Sequence, residues 1–122
     1  MRSRSIVEAF RFAFSGLWYT LRTQPNMRIH LAAAAAVVVL GLWLEISGHQ
    51  WAILALTNGL VLVTEMTNTV VEQLVNVVCP DYHPMAKVIK DVMAGAVVLS
   101  ATVAIIVGLL VLGPALWDKL AG

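Results

Sequence analysis

From Val92 through Trp117 the chain carries no acidic or basic side chain, and the run is bounded by Asp91 and Asp118. A bilayer core of ~30 Å is crossed by about 20 helical residues, so this stretch is ample for a span. Two more uncharged windows precede it: Ile29–Leu44, between Arg28 and Glu45, and Ile46–Thr64, between Glu45 and Glu65. The second is adequate in length. The first is short, which predicts a helix extending back through His30 and Arg28. The windows predict three transmembrane helices over about 28–46, 50–78 and 88–117. Ser47, Gly48, His49 and Gln50 form the expected tight turn between the first two.

Composition agrees with an all-α integral membrane protein: 60% of the residues are hydrophobic and only 12% charged, too little charge for an ordinary soluble domain. A length of 122 residues suits one domain covering 1–122, with no repeat and no linker. Cys79 is the single cysteine, which excludes an intramolecular disulfide. Beside Pro80 it reads as an inert small residue. The scattered His30, His49 and His83 give no zinc spacing. No cleavable signal peptide is expected, because Arg2 and Arg4 lead into Glu8 and Arg11 rather than into a clean apolar run. Charge and aromatics leave no nucleic-acid footprint.

Ahead of the first span, residues of about 3–22 read as an amphipathic helix. Ile6, Val7, Phe10, Phe14, Leu17, Trp18 and Leu21 recur at three- and four-residue steps, interrupted by Arg4, Glu8, Arg11 and Arg22. Beside membrane spans such a helix is expected to lie in the interface. Thr23, Gln24, Pro25 and Asn26 are expected to break it. With the N-terminus inside, Arg2, Arg4, Arg11, Arg22, Arg28, Lys87 and Lys90 face the cytoplasm, against Lys119 alone outside. That bias puts the N-terminal helix and the loop before the third span on one side. Small residues, Ala32 through Ala36 and Gly41 in the first span and Ala94, Gly95, Ala96 and Gly108 in the third, suit close helix approach or lipid-facing filler equally.

The chemistry is expected on the second helix, which stays helical past Thr64 toward Pro80. At ~100° per residue, Glu65, Asn68, Glu72 and Asn76 fall within about 60° of one another. Ionisable groups at membrane depth are rare and face a protein interior or a wet cavity. A purely structural pairing needs a cation, which Lys90 or an N-terminal arginine would have to supply. Glu65 and Glu72 lie about 10 Å apart along the axis, too far to grip one metal as a tight pair. The shallower Glu72 suits Mg²⁺, a hard cation that takes carboxylate and phosphate oxygens. The deeper Glu65 suits proton abstraction from a hydroxyl at headgroup level. The loop Cys79–Pro84 with Lys87, Lys90 and Asp91 is the next polar cluster. Lys90 can meet a phosphate, whereas Asp91 also suits helix capping. Neither G-x-x-x-x-G-K-[ST] nor G-x-G-x-x-G occurs, and no serine has a histidine partner.

The stretch Glu65-Met66-Thr67-Asn68-Thr69-Val70-Val71-Glu72 resembles the signature E-x-x-N-[TS]-A-[IV]-E of the small prokaryotic diacylglycerol kinase family. Asn26-Met27-Arg28-Ile29-His30 and Tyr82-His83-Pro84 through Lys90-Asp91 agree with it in order and spacing. These flanking segments look most like the undecaprenol kinase branch, typical of Gram-positive and related bacteria. The resemblance implies a homotrimer of three-span subunits, each with an N-terminal surface helix, and active sites between subunits. It implies Glu65 as catalytic base, Asn68 lining the reaction site and Glu72 as a metal ligand. Asp81, Tyr82, His83, Lys90 and Asp91 are implied to contact nucleotide, and Arg28 and the N-terminal helix to meet lipid. Two positions depart from the pattern. Gln24 stands where the family often has a second metal-binding glutamate, and Asn76 where it often has an aspartate; both remove negative charge beside the nucleotide.

The resulting expectation is a lipid kinase of the bacterial plasma membrane that uses ATP and Mg²⁺ to phosphorylate a lipid hydroxyl. Undecaprenol is the favoured acceptor and diacylglycerol the alternative. A non-enzymatic transport or channel subunit is the rival of another class, because a buried Glu/Asn face also suits ion conduction.

Overall fold

The computed structural model describes residues 5–122, so Arg2, Arg4 and the first residues of the expected N-terminal helix lie outside the described residues. Four helices follow in order: α1 (Ile6–Thr23), α2 (Pro25–Leu44), α3 (Gly48–Val78) and α4 (Pro84–Ala121). Each of α2, α3 and α4 is long and apolar enough to cross a membrane. The architecture is all-helical, with three candidate spans.

Side chains accept from the first N–H groups of α1, α3 and α4, whereas α2 starts on a proline without a side-chain cap. Ser5 Oγ accepts from the Glu8 N–H and caps α1. Gln24 alone separates α1 from α2, and Pro25 opens α2 at a position where a missing N–H costs nothing. The break therefore falls on one residue, and Pro25 and Asn26 are already helical. A capping box opens α3: Ser47 Oγ accepts from the Gln50 N–H, and Gln50 Oε1 accepts from the Ser47 N–H at 2.8 Å. That box draws Gly48, His49 and Gln50 into the helix, so the reversal occupies Glu45–Ser47 instead of Ser47–Gln50. Pro84 opens α4, where His83 Nδ1 accepts from the Met85 N–H at 3.0 Å.

The α2–α3 reversal is unusually tight. Ile46 N–H reaches the Gly41 carbonyl and Glu45 N–H the Leu42 carbonyl, each at 3.3 Å, the Schellman arrangement of a helix end. Glu45 takes the left-handed conformation there, with φ 53° and ψ 49°. For a residue with a Cβ that conformation costs about 1 kcal/mol or more. Gly41 has a specific reason: a Cβ there would lie 2.6 Å from the Trp51 ring. Gly95 and Gly108 have no such neighbour.

Connections this short make α3 antiparallel to α2, and α4 antiparallel to α3. The junction at Gln24 and the loop 79–83 therefore share one end of the molecule. At 1.5 Å per residue the 31 residues of α3 and 38 of α4 reach about 46 and 57 Å, well beyond a bilayer core. At the opposite end Lys119 Nζ stands 5.1 Å from the Trp43 ring centre and ties α4 to α2.

The interior is thin. Met27, Leu54, Val61, Val97 and Leu112 are the buried apolar side chains among the described residues. Large apolar side chains such as Leu56, Val63, Leu99 and Leu109 point outward, which costs nothing against lipid tails. Most span hydroxyls are satisfied locally: Thr57, Thr64, Thr67 and Thr102 each donate to the carbonyl four residues earlier. The most deeply enclosed side chain is an acid, Glu65, 1% exposed.

Candidate active site

The polar face of α3 grades from sealed to open. Glu65 and Asn68 are buried, Glu72 is half-buried and Asn76 is exposed. One face carries all four because steps of three and four residues return to the same side of a helix. Asn68 Nδ2 donates to Glu72 Oε1 at 3.1 Å, so the middle of the face is a connected pair. Thr69, buried beside them, donates to the Glu65 carbonyl at 3.1 Å and is self-contained.

Two buried oxygens on this face lack a donor: Glu65 Oε2 and Asn68 Oδ1. Leaving a buried polar group unpaired costs about 1–3 kcal/mol, more for a charged one. Among the described residues neither Lys90 nor an arginine, the cations that the sequence offers as partners, comes to Glu65. Lys90 Nζ instead donates to Asn76 Oδ1 at 2.6 Å. Arg28 donates through Nη1 to the Leu21 and Arg22 carbonyls at 3.0 and 2.9 Å, closing the C-terminus of α1. The side chain that reaches Glu65 is His30 of α2, with Nε2 3.6 Å from Oε2. In the sequence His30 figures in the back-extension of the first span, among the histidines without zinc spacing and at the end of the Asn26–His30 segment, and none of these gives it a role. A histidine near the start of an apolar helix is the signal that could have found it.

A second cluster lies at the loop end. Asp81, Tyr82, His83, Lys90, Asp91 and Asn76 line one cavity of about 280 Å³ between the C-terminus of α3 and the start of α4. The residues expected at the nucleotide therefore share a cleft. Within it Asp91 is paired with Lys87 at 2.5 Å, on the α4 surface, so Asp91 makes an ion pair rather than a cap; His83 is the residue that caps α4. Cys79 is half-buried and its thiol donates to the Asp81 carbonyl at 3.3 Å.

Gln24 sits at the α1–α2 junction, with Nε2 3.4 Å from Thr23 Oγ1. Among the described residues no three His, Cys, Asp or Glu side chains gather into a metal cage. The donor set is a single carboxylate, Glu72, oriented by an amide. That fits Mg²⁺, which is commonly held by one or two carboxylates together with substrate phosphates and water. It does not fit zinc, which needs three or four protein ligands, mostly nitrogen or sulfur.

These features define a helical membrane protein whose one acid face is buried at Glu65 and exposed at Asn76, beside a polar cleft. The family model for prokaryotic diacylglycerol kinase matches residues 11–112, and the chain belongs to that family. Undecaprenol kinase of Bacillus subtilis (strain 168) is 39% identical over 109 residues, 89% of each chain. Diacylglycerol kinase of Synechocystis sp. is 41% identical over 105 residues, 85% of this chain and 60% of that protein. Diacylglycerol kinase of Escherichia coli (strain K12) is 26% identical over 101 residues, 83% of each. The protein is a membrane lipid kinase, with ATP and a lipid as its substrates. Membership decides against the transport-subunit reading.

Proposed function

We propose that the protein transfers the γ-phosphoryl group of ATP directly to the hydroxyl of undecaprenol. The observation that carries the reading is the buried Glu65 carboxylate, with an unpaired oxygen, on the same helix face that leads through Asn68 and Glu72 to the loop cleft. Undecaprenol is favoured as acceptor by the B. subtilis relative, which matches almost end to end. The Synechocystis relative favours diacylglycerol as the second reading.

In this mechanism the cleft residues Asp81, Tyr82, His83, Lys90 and Asp91 hold the nucleotide. Lys90, already aimed by Asn76, meets phosphate as a point cation. Glu72 is the carboxylate that would hold Mg²⁺, with Gln24 as a neutral second ligand, and the ion would offset charge on the transferring phosphates. Glu65 accepts the proton as the lipid oxygen attacks phosphorus and the bond to ADP breaks. Asn68 keeps Glu72 in place and lines the reaction site. Arg28, at the end of α1, keeps further N–H donors for a lipid headgroup beyond its two carbonyl contacts. Phosphoryl transfer depends mainly on positioning and charge neutralisation, so this short set suffices.

The whole chain is read as one membrane kinase domain, with α1 lying on the membrane surface. Phe10, Phe14 and Trp18 are each more than half exposed, which suits insertion into headgroups. The protein is placed in the bacterial plasma membrane with α1 and the loop cleft cytoplasmic, following the basic residues. A homotrimer with sites between subunits would enclose more of the half-open α3 face than three helices can.

The test is an ATP-dependent phosphorylation assay in bilayers containing undecaprenol and diacylglycerol side by side. Preferential labelling of undecaprenol is expected. Labelling of diacylglycerol alone would reverse the acceptor assignment, and labelling of neither would end the proposal. ATP should also protect the 81–91 segment from proteolysis.

A further inference from the structure

His30 stands apart from every residue assigned above. It lies on α2, its side chain is 20% exposed, and its Nε2 is 3.6 Å from the buried Glu65 Oε2. That separation is slightly longer than a hydrogen bond. His30 is nonetheless the one basic side chain beside the Glu65 carboxylate among the described residues, and Oε2 has no hydrogen-bond donor there. His30 also lines an apolar cavity of about 520 Å³ running between α2 and α4, past Ala33, Leu40, Gly108 and Leu112. Asn58 is the other polar side chain on that wall, and its amide donates to the Leu54 carbonyl of its own helix at 2.9 Å. Nothing on the cavity side competes with Glu65 for the imidazole.

We propose that His30 is a positioning residue for Glu65, its ring holding one carboxylate oxygen across the α2–α3 interface so that the carboxylate is aimed at the lipid hydroxyl. The inference rests on the reading of Glu65 as the base. His30 exchanges no proton with substrate: the hydroxyl proton goes to Glu65, the lipid oxygen bonds to phosphorus, and ADP leaves. Its effect is on orientation. A carboxylate on a flexible side chain has several rotamers, and a contact from a second helix selects one. Such a residue acts on turnover and leaves the nucleotide cleft at the other end of the α3 face alone.

The experiment uses the full chain in lipid bilayers, with kcat and KM measured for ATP and with affinity for a non-hydrolysable ATP analogue. His30→Ala should lower kcat by about ten- to a hundredfold, the scale of a misplaced catalytic group, while KM for ATP and analogue affinity hold. His30→Gln, which keeps an N–H donor of similar reach, should recover part of the loss. Wild-type kcat in His30→Ala overturns the assignment. So does equal loss in Ala and Gln variants, or loss of analogue binding in His30→Ala, since either marks a merely structural role. Glu65→Gln, run alongside, separates the two ideas. If it is fully active, the base reading itself fails; if it is inactive while His30→Ala turns over normally, only the role of His30 fails.

Discussion

Glu65 of α3 and Asp91 of α4 are both carboxylates beside a basic side chain, yet their surroundings are opposite. Glu65 is 1% exposed, faces a histidine at 3.6 Å across a helix interface, and keeps an oxygen without a donor. Asp91 is 62% exposed and pairs with Lys87 one turn away on its own helix. An exposed pair of that kind contributes about 0–1 kcal/mol. A buried, under-satisfied acid is a standing cost to stability, and it persists where a reaction needs a poised acceptor. The contrast ranks the two polar regions: α3 should govern the chemical step, and the loop cleft should govern nucleotide affinity.

Substitutions can break that ranking. The largest effect is expected from Glu65→Gln, with kcat falling by about 10²–10⁴ as for loss of a general base, and ATP-analogue binding retained. Turnover near wild type would erase the contrast. Glu72→Gln comes next. Replacing a charged ligand by a neutral one should move the Mg²⁺ concentration for half-maximal activity upward by about tenfold or more, read in a magnesium titration. An unshifted titration would remove Glu72 from the metal. Lys90→Ala should raise KM for ATP by roughly tenfold, the scale of one charge-assisted contact, while KM for lipid holds. Lys87→Ala should be the mildest, within about threefold in every parameter, because Lys87, though on the cleft wall, is bound up in an exposed pair with Asp91. A collapse of activity in Lys87→Ala would show that the loop cluster matters to turnover no less than the buried face.

Much of this architecture is legible in the sequence, for identifiable reasons. Uncharged windows reveal spans because lipid excludes charge. Period-3.6 spacing reveals that Glu65, Asn68, Glu72 and Asn76 share a side because that angle depends on one helix alone. Helix ends are less legible. The reversal lies at Glu45–Ser47 because Ser47 and Gln50 cap each other, and α2 begins at Pro25 because proline suits a first turn. The motif around Arg28 points to lipid, whereas its hydrogen bonds to α1 carbonyls depend on where α1 ends relative to α2.

From the residues alone follow the membrane class, the number of spans, the acid face and, through the motif, the family. Each is a property of local order along the chain. The tertiary structure decided which partner each polar group meets: His30 rather than Lys90 beside Glu65, Asn76 rather than an acid beside Lys90. It also decided that the face is sealed at Glu65 and open at Asn76. The reason is geometric, since contact between two helices depends on their relative depth and rotation, which no periodicity within either one encodes.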